Sequence, residues 1–344
     1  MKASYNRLAS NYLATMSLFG IAYCYYALNP YYVNFFSSTL RVVGIELSYN
    51  QILNGLVTLY AILLIPFYAT FNDRIETKSR LVWRALSKLH DRSPTPAERV
   101  ALLATMVKVF FLPLMAVWMF DNFANLHHYG EIFLRDGNFF PDGYWMLFNF
   151  ILFVDVTFFT LAYSIEHPKL HNEIKSVEPT ILGWVVALIC YPPFNGMTNE
   201  VLGWYSSDYP EIHTLWLRYV AAIAMLTLMF IYLWATIALN IKASNLTNRG
   251  IVTGGPYAYV RHPAYIAKNL AWWIGAMPIL YGFWFKGIPE FFYALFCVAA
   301  WTYIYYLRAM TEERHLMQDP DYQAYCNKVT RRFIPGRNPR TDLG

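Results

Sequence analysis

Long apolar runs separated by short polar segments, several of them basic, dominate this chain. At about 20 apolar residues per crossing, the runs predict about eight membrane-spanning helices. They fall near 12–28, 51–70, 100–120, 144–163, 181–191, 213–239, 264–285 and 289–306. The fifth is short and meets Pro192-Pro193, which predicts a break or kink at its far end. The sixth is long enough to tilt or to project beyond the bilayer, and the eighth continues into a polar helix. Between the second and third runs, Arg74, Lys78, Arg80, Arg84, Lys88, Arg92 and Arg99 make the segment 71–99 strongly basic. Leu81, Trp83, Leu86 and Leu89 leave an apolar stripe there, predicting an interfacial helix. Ser93-Pro94-Thr95-Pro96 ends it and caps the next element.

Composition agrees with an all-α, polytopic transmembrane bundle. Of 344 residues 57% are hydrophobic and 14% charged, against about 25% charged in soluble domains. Aromatics reach 19%, which suits two interfacial belts. The first run is bulky, Tyr-rich and without a small-residue exit, so it is expected to be a retained helix rather than a signal peptide. Four scattered cysteines (Cys24, Cys190, Cys297, Cys326) indicate neither a disulfide framework nor a zinc site, and no metal is expected. Most Lys and Arg flank alternate connections, which places both termini in the cytoplasm of a bacterial inner membrane or endoplasmic reticulum protein. Lys108 and Asp155 fall within expected spans, where an ionisable group either pairs or serves a substrate.

The chemistry gathers in 253–269, TGGPYAYVRHPAYIAKN. Gly254-Gly255-Pro256 forms a turn over which backbone can approach a ligand. Tyr257, Tyr259, Arg261 and His262 follow, and Pro263 suits the first turn of the seventh span. That helix end presents free N–H groups and a positive dipole to an anionic group. A second polar segment, LRAMTEERHLMQDPDYQAYCNKVTRRFIPG, leaves the eighth span. Arg308 and Glu312 share one helix face, whereas Glu313 points about a quarter turn away.

GPYAYVRHPAY, followed by Arg308, Glu312-Glu313, Leu316, Tyr322, Tyr325 and Arg332-Phe333-Ile334-Pro335, resembles the isoprenylcysteine carboxyl methyltransferase family, which includes related phospholipid N-methyltransferases. The resemblance covers roughly 240–335. It divides the chain into an N-terminal transmembrane region, 1–240, and a methyltransferase core, 241–344. It implies S-adenosylmethionine held by Arg249, Gly250, Ile251, Val252, Tyr257, His262, Pro263, Ala264, Tyr265 and Glu312, with Arg261 nearby. His262, Arg261 and the helix end suit the cofactor's carboxylate, and Glu312 suits its ammonium and ribose hydroxyls. Tyr257 or Tyr265 can wall its adenine. Arg308 and Glu312 are the expected catalytic pair, with Arg308 orienting an anionic acceptor.

The resemblance implies a methyl acceptor that is a lipid or a lipidated small molecule or peptide drawn from the bilayer, foremost the carboxyl of an isoprenylcysteine-like group, with a phospholipid amine as the alternative. A carboxylate acceptor is already ionised and needs no base. An amine acceptor makes Glu312, Glu313 or His262 the candidate base. Lys268 and Asp155 are candidate substrate contacts. The chain departs from the family pattern at Ile266-Ala267-Lys268 and at Asp319-Pro320, where Phe-Gly is more usual. No strand-linked GxGxxG is present, which excludes a Rossmann-type methyltransferase, and no nucleic-acid partner is expected. Membrane sterol reductases, which use NADPH, share an RHPNY-like segment and a similar ending, but here Ala264 replaces the Asn. His167 and His171 lack the companions of a metal-dependent lipid desaturase or hydroxylase, and no inverted repeats support a transporter.

Asn245-Leu246-Thr247 is a glycosylation sequon that the expected orientation keeps cytoplasmic. Expression in microsomes should therefore give a chain whose mobility is unchanged by endoglycosidase, and a shift would invert the topology.

Overall fold

The computed structural model describes residues 2–42, 44–70 and 76–334. Arg74 of the basic segment and Pro335 of the C-terminal motif lie outside the described residues. The chain is 75% helical. Among the described residues the strands form two small antiparallel pairs, so the fold is all-α. In order, the helices are α1 (Lys2–Leu28), α2 (Pro30–Ser37), α3 (Tyr49–Thr70), α4 (Lys78–Ser87), α5 (Pro96–Asp136) and α6 (Tyr144–Ser164). They continue with α7 (Ile181–Leu188), α8 (Phe194–Val201), α9 (Leu215–Leu239), α10 (Pro263–Lys286), α11 (Ile288–Leu316) and α12 (Pro320–Lys328). The strand pairs are β1 (Thr39–Val42) with β2 (Ile45–Ser48), and β3 (Ser176–Val177) with β4 (Thr247–Asn248).

Among the described residues, five helical segments are long and apolar enough to cross a membrane: Tyr49–Thr70, Pro96–Asp136, Phe139–Ser164, Leu215–Lys242 and Ile288–Leu316. The expected count of about eight is not confirmed. α1 and α10 have 27 and 24 residues, but their tyrosines, tryptophans and polar side chains lower their hydropathy. The expected fifth crossing is the clearest departure. α7 has eight residues, a rise of about 12 Å at 1.5 Å per residue. It ends before Pro192-Pro193, which lack the N–H groups that would continue it.

Beyond α8 the chain runs without regular structure against the middle of α10 and α11. Backbone carbonyls there need donors, because hydrocarbon supplies none. Aromatic side chains provide them: Trp301 Nε1 donates to Leu202 O (3.3 Å), Tyr293 to Val201 O (3.2 Å) and Tyr144 to Asp208 O (2.7 Å). Trp204 packs edge-on against Trp272, with ring centroids 4.9 Å apart. Gly275 on α10 permits this approach.

A helix forms in the basic segment, but Val82 and Ala85 are its buried positions, Leu86 is exposed and Leu89 lies beyond its end, so the expected stripe is not the face it buries. Thr95 caps α5 in a reciprocal box with Glu98, and the buried Glu98 also accepts from Arg84 and Arg92. α4 thereby lies against α5, and it packs on α1 as well. Lys108 on α5 pairs with Glu166 at 2.6 Å, and Lys78 on α4 pairs with the same carboxylate. Burial pushes the Glu166 carboxyl up, but Lys108 and Lys78 outweigh it and bring its pKa down to about 2. The paired form is thus the stable one above the usual carboxylate range, and it is lost only as pH falls toward that value.

A Cβ added to Gly275 would stand 1.9 Å from Ser207 O. Gly275→Ala should therefore lower unfolding stability by about 1–3 kcal/mol. Thermal unfolding in detergent measures this, and Gly282→Ala, whose added Cβ meets nothing within 4 Å, is the control.

Candidate functional site

The turn-rich loop 243–262 delivers its polar residues to the start of α10, which begins at Pro263 with proline in the first turn. α10 and α11 pack side by side, so the start of α10 adjoins the polar end of α11. Glu313 joins the two. Its carboxylate is 5% exposed. Oε1 lies 3.1 Å from both His262 Nε2 and Arg261 Nε, and Oε2 accepts from Arg332 Nε at 2.9 Å. The Arg261 contact is an ion pair without hydrogen-bond geometry, since its Nε has no hydrogen-bond partner.

Backbone bonds complete the closure. Arg261 N donates to Arg331 O (3.0 Å) and His262 N to Arg332 O (3.1 Å), while Tyr325 donates to Tyr257 O (2.8 Å). His262 stacks between Tyr265 and Phe333. Asp319 caps α12 and accepts from Asn248 Nδ2 at 2.8 Å, and Pro320 occupies the first turn. Asp319-Pro320 therefore starts a helix and ties it to β4.

Beside this junction lies a small, partly open polar cleft. Arg308, Thr311, Glu312 and His315 line it from one face of α11, and Tyr265 lines it from α10. Tyr265 donates to Glu312 Oε2 at 2.9 Å. The Arg308 guanidinium is buried among Tyr305, Tyr265 and Tyr191, at 4.9, 5.6 and 5.8 Å from the ring centres. Asn245 Oδ1 accepts from it at 3.1 Å. The aromatic faces stabilise the cation and hold it in place.

The remaining expected residues lie elsewhere. Arg249 is buried and donates to Ala162 O (2.7 Å) and Asn172 O (3.1 Å), so it ties β4 to the end of α6 rather than lining the cleft. Its burial pushes the guanidinium pKa down, opposed by the Glu166 charge. Gly250 takes a positive φ of 97° and donates to Asn248, and Ile251, Val252 and Tyr257 follow along the loop. Ile251 and Tyr257 pack against Tyr322 and Tyr325 of α12. Pro263 and Ala264 form the first turn of α10.

Asp155 is paired within the bundle. Tyr232 and Thr236 of α9 donate to its two oxygens at 2.7 and 2.5 Å. Lys268 stands over the rings of Tyr232 and Trp272, at 5.4 and 5.2 Å, one turn deeper than Tyr265. Among the described residues no group of three or more His, Cys, Asp or Glu can hold a metal. The structure adds lining residues that no motif marks: Glu178, Gly183 and Ala187, and it also brings in Asn245 and His315. His315 Nε2 lies 2.8 Å from Ser176 Oγ. The signal for Glu178, Gly183 and Ala187 is tertiary, because β3 pairs with β4 and carries 176–187 to the cleft.

This arrangement is a polar pocket at the end of an apolar helical bundle. Residues 211–318 match the model of the isoprenylcysteine carboxyl methyltransferase (ICMT) family. The match spans α9 to α11 and includes the loop, Arg308 and both glutamates. Together with the five apolar helices it supports an integral membrane methyltransferase. No curated protein and no solved structure matches the chain.

Glu312 and Glu313 should behave differently on substitution. Glu313→Gln leaves Arg261, His262 and Arg332 without their shared charge and should cost about 3–5 kcal/mol of stability. Glu312→Gln, at an exposed position, should cost less than about 1 kcal/mol. Denaturant unfolding in detergent compares the two directly.

Proposed function

We propose that this chain transfers a methyl group from S-adenosylmethionine to a lipid or lipidated acceptor, the carboxylate of an isoprenylcysteine-like group being the reading we favour. Members of the matched family use this cofactor in general. The observation that carries the proposal is Arg308, a buried guanidinium on the wall of a cleft it shares with Tyr265 and Glu312. A buried arginine is always charged, and its planar fork suits a carboxylate.

The residues that line the cleft suit the cofactor in chemical type. Glu312 offers acceptors to an ammonium or ribose hydroxyl, and Tyr265 offers an aromatic face. His262 and Arg261, which the resemblance assigns to the cofactor carboxylate, are committed to Glu313. In this reading they shape the loop, and the free N–H groups of the first turn of α10 face the anion. When bound, the cofactor supplies a methyl group on a positively charged sulfur.

The chain's own residues position the acceptor and keep water away. Arg308 orients a carboxylate acceptor, which is ionised at neutral pH and needs no base. The aromatic rings around it exclude solvent. The acceptor's apolar tail lies between helices, and Lys268, on the α9–α10 side, meets an acidic head group. Both termini and the cleft face the cytoplasm. A phospholipid amine is the second reading. His315 favours it, because it lines the cleft and can take the proton an amine must lose.

Membranes holding the protein should pass radiolabelled methyl groups from S-adenosylmethionine into a lipid-extractable product, whose base lability separates a methyl ester from a methylated amine. Arg308→Ala and Glu312→Ala should reduce labelling by at least about a hundredfold at unchanged expression. Full labelling in both variants would reject the assignment.

A further inference from the structure

The family match begins at residue 211, yet one wall of the cleft comes from the preceding segment. β3 and the start of α7 contribute Glu178, Gly183 and Ala187. Glu178 is 2% exposed. Its Oε1 is fully used: it accepts from Thr180 N at 3.1 Å, from Arg314 Nη2 at 2.9 Å and from the Thr180 hydroxyl. Its Oε2 is equally buried and has no hydrogen-bond partner. An unmet carboxylate oxygen is costly to bury, and nothing in the local fold requires it. α7 is capped by Thr180, and Arg314 engages only the other oxygen.

Gly183 shows that this placement is built in. A Cβ there would stand 2.3 Å from Glu178 Cγ and 2.8 Å from its Oε1. The absent side chain is what lets the carboxylate sit against α7. Glu312 and Arg308 line the same cleft from α11. Arg314 already pairs with Glu178 through Oε1, so Oε2 is the acceptor left over in this wall of the cleft. A charged N–H donor on a ligand is the group that would satisfy it.

We propose that Glu178 is a further cofactor-binding residue, whose Oε2 receives the ammonium group of the bound methyl donor. The inference rests on the donor being S-adenosylmethionine, which has an ammonium, a sulfonium and a carboxylate. It leaves Glu312 for the ribose hydroxyls or the sulfonium side of the site. It also makes the N-terminal region part of the cofactor site. The matched segment alone would then be an incomplete enzyme.

Equilibrium binding to the full chain in nanodiscs tests this without any turnover. The probes are S-adenosylmethionine and its analogue in which hydrogen replaces the amino group. Wild type should bind the analogue about tenfold or more weakly than the cofactor. Glu178→Gln should lose the same factor toward the cofactor and bind the analogue as wild type does. Gly183→Ala, which displaces Glu178 without altering charge, should repeat that pattern and serves if Glu178→Gln fails to fold. Unchanged cofactor binding in both variants overturns the inference, and so does an equal loss toward both probes, which marks a structural role. Wild type that binds neither probe overturns the methyl-donor reading and the inference with it.

Discussion

A single buried carboxylate, that of Glu313, holds the two halves of the site together. It sits at the end of α11 among Arg261, His262 and Arg332, three groups drawn from the loop before α10 and from the C-terminal segment. A buried charge is tolerable only with partners, so the loop and the C-terminal strap must close on it. The backbone bonds from Arg261 and His262, the stack of His262 on Tyr265 and Phe333, and the Tyr325–Tyr257 bond all depend on that closure. Closure also sets α10 against α11 so that Tyr265 reaches Glu312.

The irregular segment between α7 and α9 is the second constraint. α7 stops after eight residues, and Tyr191 just beyond it comes to rest on the Arg308 guanidinium. A continuous helix would have carried its side chains past that point. The carbonyls freed by the break accept from Trp301, Tyr293 and Tyr144. The unusual aromatic content therefore has a use beyond interfacial anchoring, since Tyr and Trp supply both apolar bulk and a donor. The same break opens the space that α7, α10 and α11 share.

Charge within the bundle separates structural groups from candidate functional ones. Asp155 is satisfied by Tyr232 and Thr236, and Glu166 by Lys78 and Lys108. These tie helices together. Arg308, Glu312 and Glu178 instead line an open cleft, and one oxygen of Glu178 has no partner. Charged groups held beside open space are where binding energy is available to a ligand.

The sequence by itself determined the helical class, the capped start of α5 and the start of α10 at Pro263, because apolar run length, capping chemistry and proline geometry are local properties. It also marked Arg308 and Glu312 as one helix face, which follows from the period of the helix alone. What it could not set was the number of crossings, since the fate of 181–214 depends on donors from two other helices, α6 and α11. Nor could it tell that Arg249, His262 and Arg261 would be taken up by carbonyls and by Glu313. Glu178 was invisible for the same reason: it enters the cleft only because β3 pairs with β4 across about seventy residues of chain. Local physics fixes which residues form each helix, whereas the partners of a buried charge are decided only when distant segments meet.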